Sequence, residues 1–184
     1  PHDSYFAVGW MKRYAEILCR TYAEKIKKPM SCIVVRPSNV YGPYDKFNFK
    51  TSHMLAALVR RVIERQNPFV VWGTGDDVRD LIYIDDFIDG LLLAAQTDHG
   101  YFDVNIASGT GYTIKQILSR IIEIDGFTNA NISFDVTKPS SIPIRLVDTH
   151  KAERELQFRA PTSLVDGLAK TLKWYRDHKD HWQK

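Results

Sequence analysis

Apolar positions along the chain switch between helical and strand periods. Over residues 8–26, Val8, Met11, Ala15, Leu18, Cys19 and Tyr22 repeat at helical spacing. Trp10, Tyr14, Ile17 and Thr21 form a second stripe, roughly 120° around the same helix. Arg13, Glu16, Arg20 and Glu24 fill the polar face between them. A helix with two apolar faces has to bury both. One is expected on a sheet; the other needs the equivalent helix of a second subunit, or a loop of a preceding segment. The run Cys32-Ile33-Val34-Val35 then reads as a buried parallel strand over 31–36. It stops in Pro37, Asn39, Gly42 and Pro43, residues that pass the end of a strand into a loop. In open α/β sheets ligands sit just outside such carboxyl ends, so a binding loop is expected here.

Helical spacing returns over 51–66, with Leu55, Leu58, Val59, Val62 and Ile63 inward and Pro68 as the stop. Phe69-Val70-Val71-Trp72 reads as a short strand. Asp85 is expected to cap a helix reaching about Gln96, with Leu91, Leu92 and Leu93 in the core. Tyr101–Ile106 alternates as a strand, and Ile132–Val136 is another. Thr113-Ile114-Lys115-Gln116 is a capping box opening a helix to about Ile124, with Ile117, Leu118, Ile121 and Ile122 inside. Ser163-Leu164-Val165-Asp166 opens a last helix through Trp174, and the charged tail 177–184 is expected to fray. Strand–helix alternation throughout predicts an α/β fold.

At 184 residues the chain can bury a sizeable core, and 44% hydrophobic with 26% charged residues is a globular composition. A net charge of +3, spread along the sequence, argues against a nucleic-acid partner. No apolar run reaches about 18 residues and no signal-peptide pattern is present, so no membrane partner and a cytoplasmic location are expected. Cys19 and Cys32 sit in apolar patterns and read as reduced core residues. The six histidines, including His99 and His150, show no metal spacing, and Asp85-Asp86 sits where acids favour a helix start. The Lys25-Ile26-Lys27-Lys28 run falls at a helix end, where cations belong. No glycine-rich G-x-G-x-x-G turn occurs. The chain therefore reads as the C-terminal half of a longer protein whose cofactor-binding half lies upstream.

Several blocks, in order, carry a resemblance. Arg36-Pro37-Ser38-Asn39-Val40-Tyr41-Gly42-Pro43 comes first. Val70-Val71-Trp72-Gly73-Thr74-Gly75 follows, with Arg79-Asp80 and Tyr83-Ile84-Asp85-Asp86. Asn105-Ile106-Ala107-Ser108-Gly109 and Asp148-Thr149-His150-Lys151-Ala152 complete the series. From about residue 8 to 176 this resembles the extended short-chain dehydrogenase/reductases, the NAD(P)-dependent epimerases, dehydratases and reductases of nucleotide-diphosphate sugars. The resemblance implies the C-terminal part of a Rossmann-like parallel sheet plus a smaller α/β substrate-binding lobe. Residues 1–43 would belong to the dinucleotide-binding domain and 44–184 mainly to the lobe, with 84–108 returning to the main sheet.

The same resemblance implies roles. Lys12, in Gly9-Trp10-Met11-Lys12, would bind the nicotinamide ribose of NAD or NADP and take part in catalysis; Pro37 and Val40 would border the cofactor. Asn39, Arg79 and Arg145 would hold the diphosphate, for which arginine offers planar, permanently charged donors. Ser52 and His53 would contact sugar or phosphate at a helix start, and Val71 and Trp72 would lie beside the base. For each a plainer role exists: Arg79 pairing with Asp80 or Asp76, Arg145 on the surface, Asn39 bonding its own turn, Trp72 in the core, His53 capping. No sequence spacing joins Asn39, Arg79 and Arg145.

The family's catalytic tyrosine precedes the lysine by four residues, and that position here is Val8, which exchanges no proton. Three accounts follow. The acid–base group comes from elsewhere, catalysis is lost and binding kept, or Tyr5 supplies the phenol. Seven residues of helix put Tyr5 roughly 10 Å from Lys12 unless the start is non-helical. A third kind of role, an assembly module working through helix 8–26, stands beside enzyme and binding protein.

Overall fold

In a computed structural model of the chain, residues 1–48, 51–98, 100–138 and 142–181 are described. His99 and tail residues 182–184 lie outside them. Helix α1 (Phe6–Glu24) leads into strand β1 (Cys32–Pro37). Strand β5 (Tyr101–Ile106) lies parallel to β1, Cys32 opposite Tyr101 through Pro37 opposite Ile106. A second sheet is built on β4 (Val78–Tyr83). One edge of β4 takes β6 (Gly111–Thr113), antiparallel, along 78–80. A strand has two edges, so β8 (Ile144–Arg145, parallel, opposite 78–79) and β2 (Asn39–Tyr41, parallel, opposite 81–83) share the other, end to end. Strands β3 (Phe69–Trp72) and β7 (Ile132–Asp135) form a separate parallel pair.

Two cores flank β4, which is buried along nearly its whole length, as expected of a strand covered on both faces. Leu81 and Tyr83 point into the larger core, with Tyr41, α2 (Met54–Ile63), α4 (Ile114–Asp125) and α6 (Leu164–His178). Ile82 points into the smaller one, with Phe102, Val104, Ile106, α3 (Ile84–Ala95) and α5 (His150–Leu156). Helix caps follow the sequence at α4, where Thr113 and Gln116 satisfy each other's backbone amides. At α6 the Ser163 hydroxyl accepts from the Asp166 amide and donates to its carboxylate, so the box closes through side chains. That helix runs on to His178, where the imidazole stacks on Trp174.

Three expectations are corrected. The leucines of α3 are not core: Leu91, Leu92 and Leu93 are exposed, and the inward positions are Asp86, Gly90 and Ala94. A Cβ on Gly90 would meet Ile106 at 2.6 Å and Phe158 at 3.0 Å, so small residues let the helix sit close to β5 and turn the leucines outward. Asp85 does not cap α3. Tyr83 is the N-cap, and Asp86, buried in the first turn, accepts from the Thr162 amide (2.9 Å) and hydroxyl (2.6 Å).

The stripe of α1 expected on the sheet is exposed too, at Val8, Met11, Leu18 and Tyr22, together with Trp10, Tyr14 and Ile17. The side turned to β1 includes Glu16, Cys19 and Ala23 instead. Arg36 of β1 draws Glu16 inward at 2.6 and 3.0 Å and also holds Asp103 of β5 at 2.8 Å, which Lys151 of α5 meets at 2.9 Å. This chain of charge-assisted bonds ties helix, sheet and α5 together. Cys19 and Cys32 are free, as expected, but only half-buried where α1 meets β1.

Gly167 in α6 packs against Tyr41, and a Cβ there would overlap the buried phenol hydroxyl. Alanine in a helix gains about 1 kcal/mol in propensity, and overpacking costs about 1–3 kcal/mol. Because Tyr41 is walled in, Gly167→Ala is expected to lower the urea midpoint; an unchanged or raised midpoint would contradict this packing.

The Arg36 hydrogen bonds hold the Glu16 carboxyl below the usual range, against a smaller upward push from burial. A depressed folded pKa stabilises above the unfolded value of about 4.3 and is lost as pH falls through the folded one. Glu16→Gln is therefore expected to be less stable than wild type at pH 7, with the gap narrowing at an acidic pH below the unfolded value of about 4.3. Urea unfolding at both pH values reads this, and a gap that stays constant would speak against the network.

Candidate functional site

Parallel register partners share a face of their sheet, and so do positions two apart on one strand. Asn39 is the partner of Leu81, Leu81 shares a face with Arg79, and Arg79 is the partner of Arg145. All three predicted diphosphate ligands thus start from one face. Asn39 and Arg145 flank the same edge of β4 at positions two residues apart, roughly 6–7 Å at strand rise. Residues separated by more than a hundred positions in the chain are thus brought to neighbouring backbone positions.

Their side chains are held differently. The Asn39 amide donates to the Asp80 carbonyl oxygen at 2.7 Å, fixing it across the strand gap rather than on its own turn. Arg79 is 7% exposed. Its Nη1 donates to the carbonyl oxygens of Val78 (2.7 Å) and Ile142 (2.9 Å), and its Nη2 meets the Asp77 carboxylate at 2.9 Å. The acid beside Arg79 is therefore Asp77, not Asp76 or Asp80; Asp76 pairs with Lys115. Arg145 reaches the Tyr5 hydroxyl, with its guanidinium carbon 4.6 Å from the centre of the Tyr5 ring. Its Nε–H is closed off from solvent and finds no acceptor among the described residues.

Asp80 was not singled out by the sequence, yet it is 0% exposed and organises the adjoining loop. Its carboxylate accepts from the amide (3.1 Å) and hydroxyl (2.8 Å) of Ser108 and from the amide of Gly109 (3.1 Å). The signal was present as Asp80 and Ser108-Gly109 in separate blocks, but nothing in sequence pairs them. Asn105, on β5 just before this loop, donates to the Asp148 carbonyl at 3.0 Å and ties the strand to the segment that leads into α5.

At the carboxyl end of β1, Pro37 is exposed and the Ser38 hydroxyl is buried without a partner among the described residues. Val40 turns its side chain into the smaller core. Lys12 is exposed on α1 and makes no ion pair among the described residues, and Val8 is exposed one turn before it. Ser52 and His53 form a separate group at the start of α2. The Ser52 amide donates to Asn48 (3.1 Å), and His53, the N-cap residue, lies 3.0 Å from the Asp45 carboxylate. Val71 is buried in the larger core, whereas Trp72 is 69% exposed, not a core residue, with the Lys138 ammonium 6.0 Å from its ring. An open cavity of about 510 Å³ between α1 and β5 is lined by Glu16, Arg20, Arg36 and Asp103; none of the predicted site residues borders it. Among the described residues no group of His, Cys, Asp or Glu is placed to hold a metal.

Comparison with known proteins agrees with this architecture. The chain is 34% identical over 180 residues to probable GDP-L-fucose synthase 1 of Oryza sativa subsp. japonica, covering 95% of this chain and 53% of that protein. It superposes on UDP-glucose 4-epimerase of Thermotoga maritima, solved with UDP-glucose, with a TM-score of 0.82 at 25% identity, covering 93% of this chain and 53% of that one. UDP-glucuronic acid 4-epimerase of Bacillus cereus, solved with UDP-glucuronic acid and NAD, gives 0.78 at 27% identity, covering 92% and 52%. The chain spans about half the length of the relatives it matches. Its α/β fold with parallel strand pairs is that of these Rossmann-like proteins. The match to the NAD dependent epimerase/dehydratase family extends over residues 6–107, more than half of the sequence, and the chain belongs to that family.

Proposed function

We propose that the protein is an NAD(P)-dependent epimerase, dehydratase or reductase of a nucleotide-diphosphate sugar, and that this chain supplies its substrate-binding half together with the helix on the cofactor side. The observation that carries the reading is the shared face of Asn39, Arg79 and Arg145 beside β4. Two arginines and an asparagine start from neighbouring strand positions, and the half-buried Arg145 guanidinium offers planar, charged donors that suit phosphate oxygens. The relatives act on or hold such ligands: one is named a GDP-L-fucose synthase, another holds UDP-glucose, a third UDP-glucuronic acid and NAD.

In this reading residues 1–43 and the returning segment 84–108 belong with the dinucleotide-binding part, and the remainder of 44–184 forms the substrate lobe. The residues present fit a nicotinamide cofactor at one end: among the described residues Lys12 makes no ion pair, so its ammonium could serve ribose hydroxyls, and the Ser38 hydroxyl, between Pro37 and Val40, has no partner at the carboxyl end of β1. Such a cofactor would accept or return a hydride. Trp72 would stack on the base beside the Val71 backbone, and Ser52 and His53 would reach the sugar or phosphate from the start of α2, whose backbone amides favour an anion. The unpaired stripes of α1 would meet their equivalents in a homodimer, and two free thiols fit a cytoplasmic setting. A second reading, a non-catalytic nucleotide-sugar-binding protein, draws on Val8.

Incubation with NAD(P) or NAD(P)H and a panel of UDP-, GDP- and dTDP-sugars is expected to show cofactor turnover or sugar conversion; tight binding without turnover supports the second reading. In calorimetry, Arg145→Ala is expected to weaken nucleotide-diphosphate sugar binding by about 1.5–3 kcal/mol, the worth of a charge-assisted phosphate contact. Unchanged affinity would remove the diphosphate assignment. Trp10→Glu is expected to turn a dimer into a monomer by light scattering, and a persistent dimer would rule out α1 as the interface.

A further inference from the structure

We propose that Tyr5 carries the acid–base phenol of the reaction, in place of the tyrosine that Val8 displaces. The inference rests on the proposed function. Continuous helix through residue 5 would hold this ring two turns from Lys12, but the helix does not reach that far. A single 3₁₀ turn, Asp3–Tyr5, precedes α1, and Tyr5 has the non-helical pair φ −125°, ψ 29° as its N-cap residue. Freed from the helix, the side chain meets β8: its hydroxyl bonds the Arg145 guanidinium, and its ring lies against the same group. Arg145 is the register partner of Arg79 on the diphosphate face. Tyr5 is thus attached to the helix that bears Lys12, while its oxygen stands at the substrate face.

Other phenols do not share this placement. Tyr41, Tyr83 and Tyr175 are buried in the larger core. Tyr112 lies across β4 from Arg79 but packs against that core, on the edge away from Asn39 and Arg145. Among the described residues, the Tyr5 hydroxyl alone bonds a member of the diphosphate trio.

The chemistry balances with the nicotinamide cofactor as the hydride partner. In the oxidative direction the Tyr5 oxygen, as phenolate, takes the proton of a sugar hydroxyl while the C–H electron pair leaves as hydride to the cofactor and a carbonyl forms. In the reductive direction the hydride returns to the carbonyl carbon and the Tyr5 hydroxyl gives its proton to the oxygen.

The test uses the full-length protein and the nucleotide sugar that the panel shows to turn over. Tyr5→Phe should lower kcat by about 100-fold or more, the usual worth of a positioned proton donor, and change KM by less than about threefold. It should also remove one limb of the pH profile of kcat. Adding Val8→Tyr to that variant should restore at least about tenfold by returning a phenol to the helix. Tyr14→Phe, on the exposed side of α1, is the control. A readout independent of turnover is the NMR signal of ring-labelled tyrosine, assigned by its loss in Tyr5→Phe: saturating UDP or GDP should shift the Tyr5 resonance. Wild-type turnover with Tyr5→Phe within about threefold of it overturns the inference and leaves the proposed function standing. A Tyr5 signal unmoved by either nucleotide, when calorimetry shows binding, overturns it as well. Wild-type protein that binds but converts no sugar overturns both.

Discussion

The buried carboxylate of Asp80 is the tie on which the site depends. A lone carboxylate out of water costs several kcal/mol, and here three donors from Ser108 and Gly109 offset that cost. The carbonyl oxygen of the same residue accepts from Asn39. One position on β4 therefore fixes the loop after β5 on one side and the start of β2 on the other. Gly109, at φ +71°, then lies so close to Thr149 that a Cβ would sit 3.0 Å from its hydroxyl, which carries the constraint to α5. Strand alternation puts the Asp80 carboxylate on the opposite face from Arg79, whose acidic partner is Asp77 instead.

Arg79 and Arg145 divide two tasks. The Arg79 guanidinium binds carbonyl oxygens of Val78 and Ile142 and the Asp77 carboxylate, so it holds the approach to β8 against β4. Arg145 is delivered by that strand, and its Nε–H has no acceptor among the described residues. If this face receives a diphosphate, as proposed, side chains already held by the fold would spend less rotamer freedom on binding. The Glu16–Arg36–Asp103–Lys151 chain does comparable work on the other sheet by seating α1, and with it Lys12 and Tyr5.

The elements were legible where local chemistry decides them. The Thr113 capping box, the apolar face of α2 and the alternation of β5 depend on neighbours within a few residues, and each stands where the sequence put it. Periodicity misled where a long-range contact outweighed it. Gly90 and Ala94 beat three leucines for the inner face of α3 because the sheet comes too near for a leucine. Glu16, read as solvated, is pulled inward by an arginine twenty residues away. Trp72 reads as core by hydrophobicity, yet its strand offers it the outer face. Of the candidate site, the residue types were readable and their meeting was not, because register between β2, β4 and β8 is set by the fold and leaves no trace in spacing.

Membership of the family and the valine at position 8 pull in different directions, and a diphosphate held on the face of Asn39, Arg79 and Arg145 would reconcile them. The most direct measurement is a crystal structure of the protein soaked with UDP or GDP. Diphosphate oxygens are expected within hydrogen-bond distance of the Arg145 guanidinium and the Asn39 amide, over the face that carries Arg79. A nucleotide bound with its phosphates on any other surface, or against only one of these three residues, would contradict it.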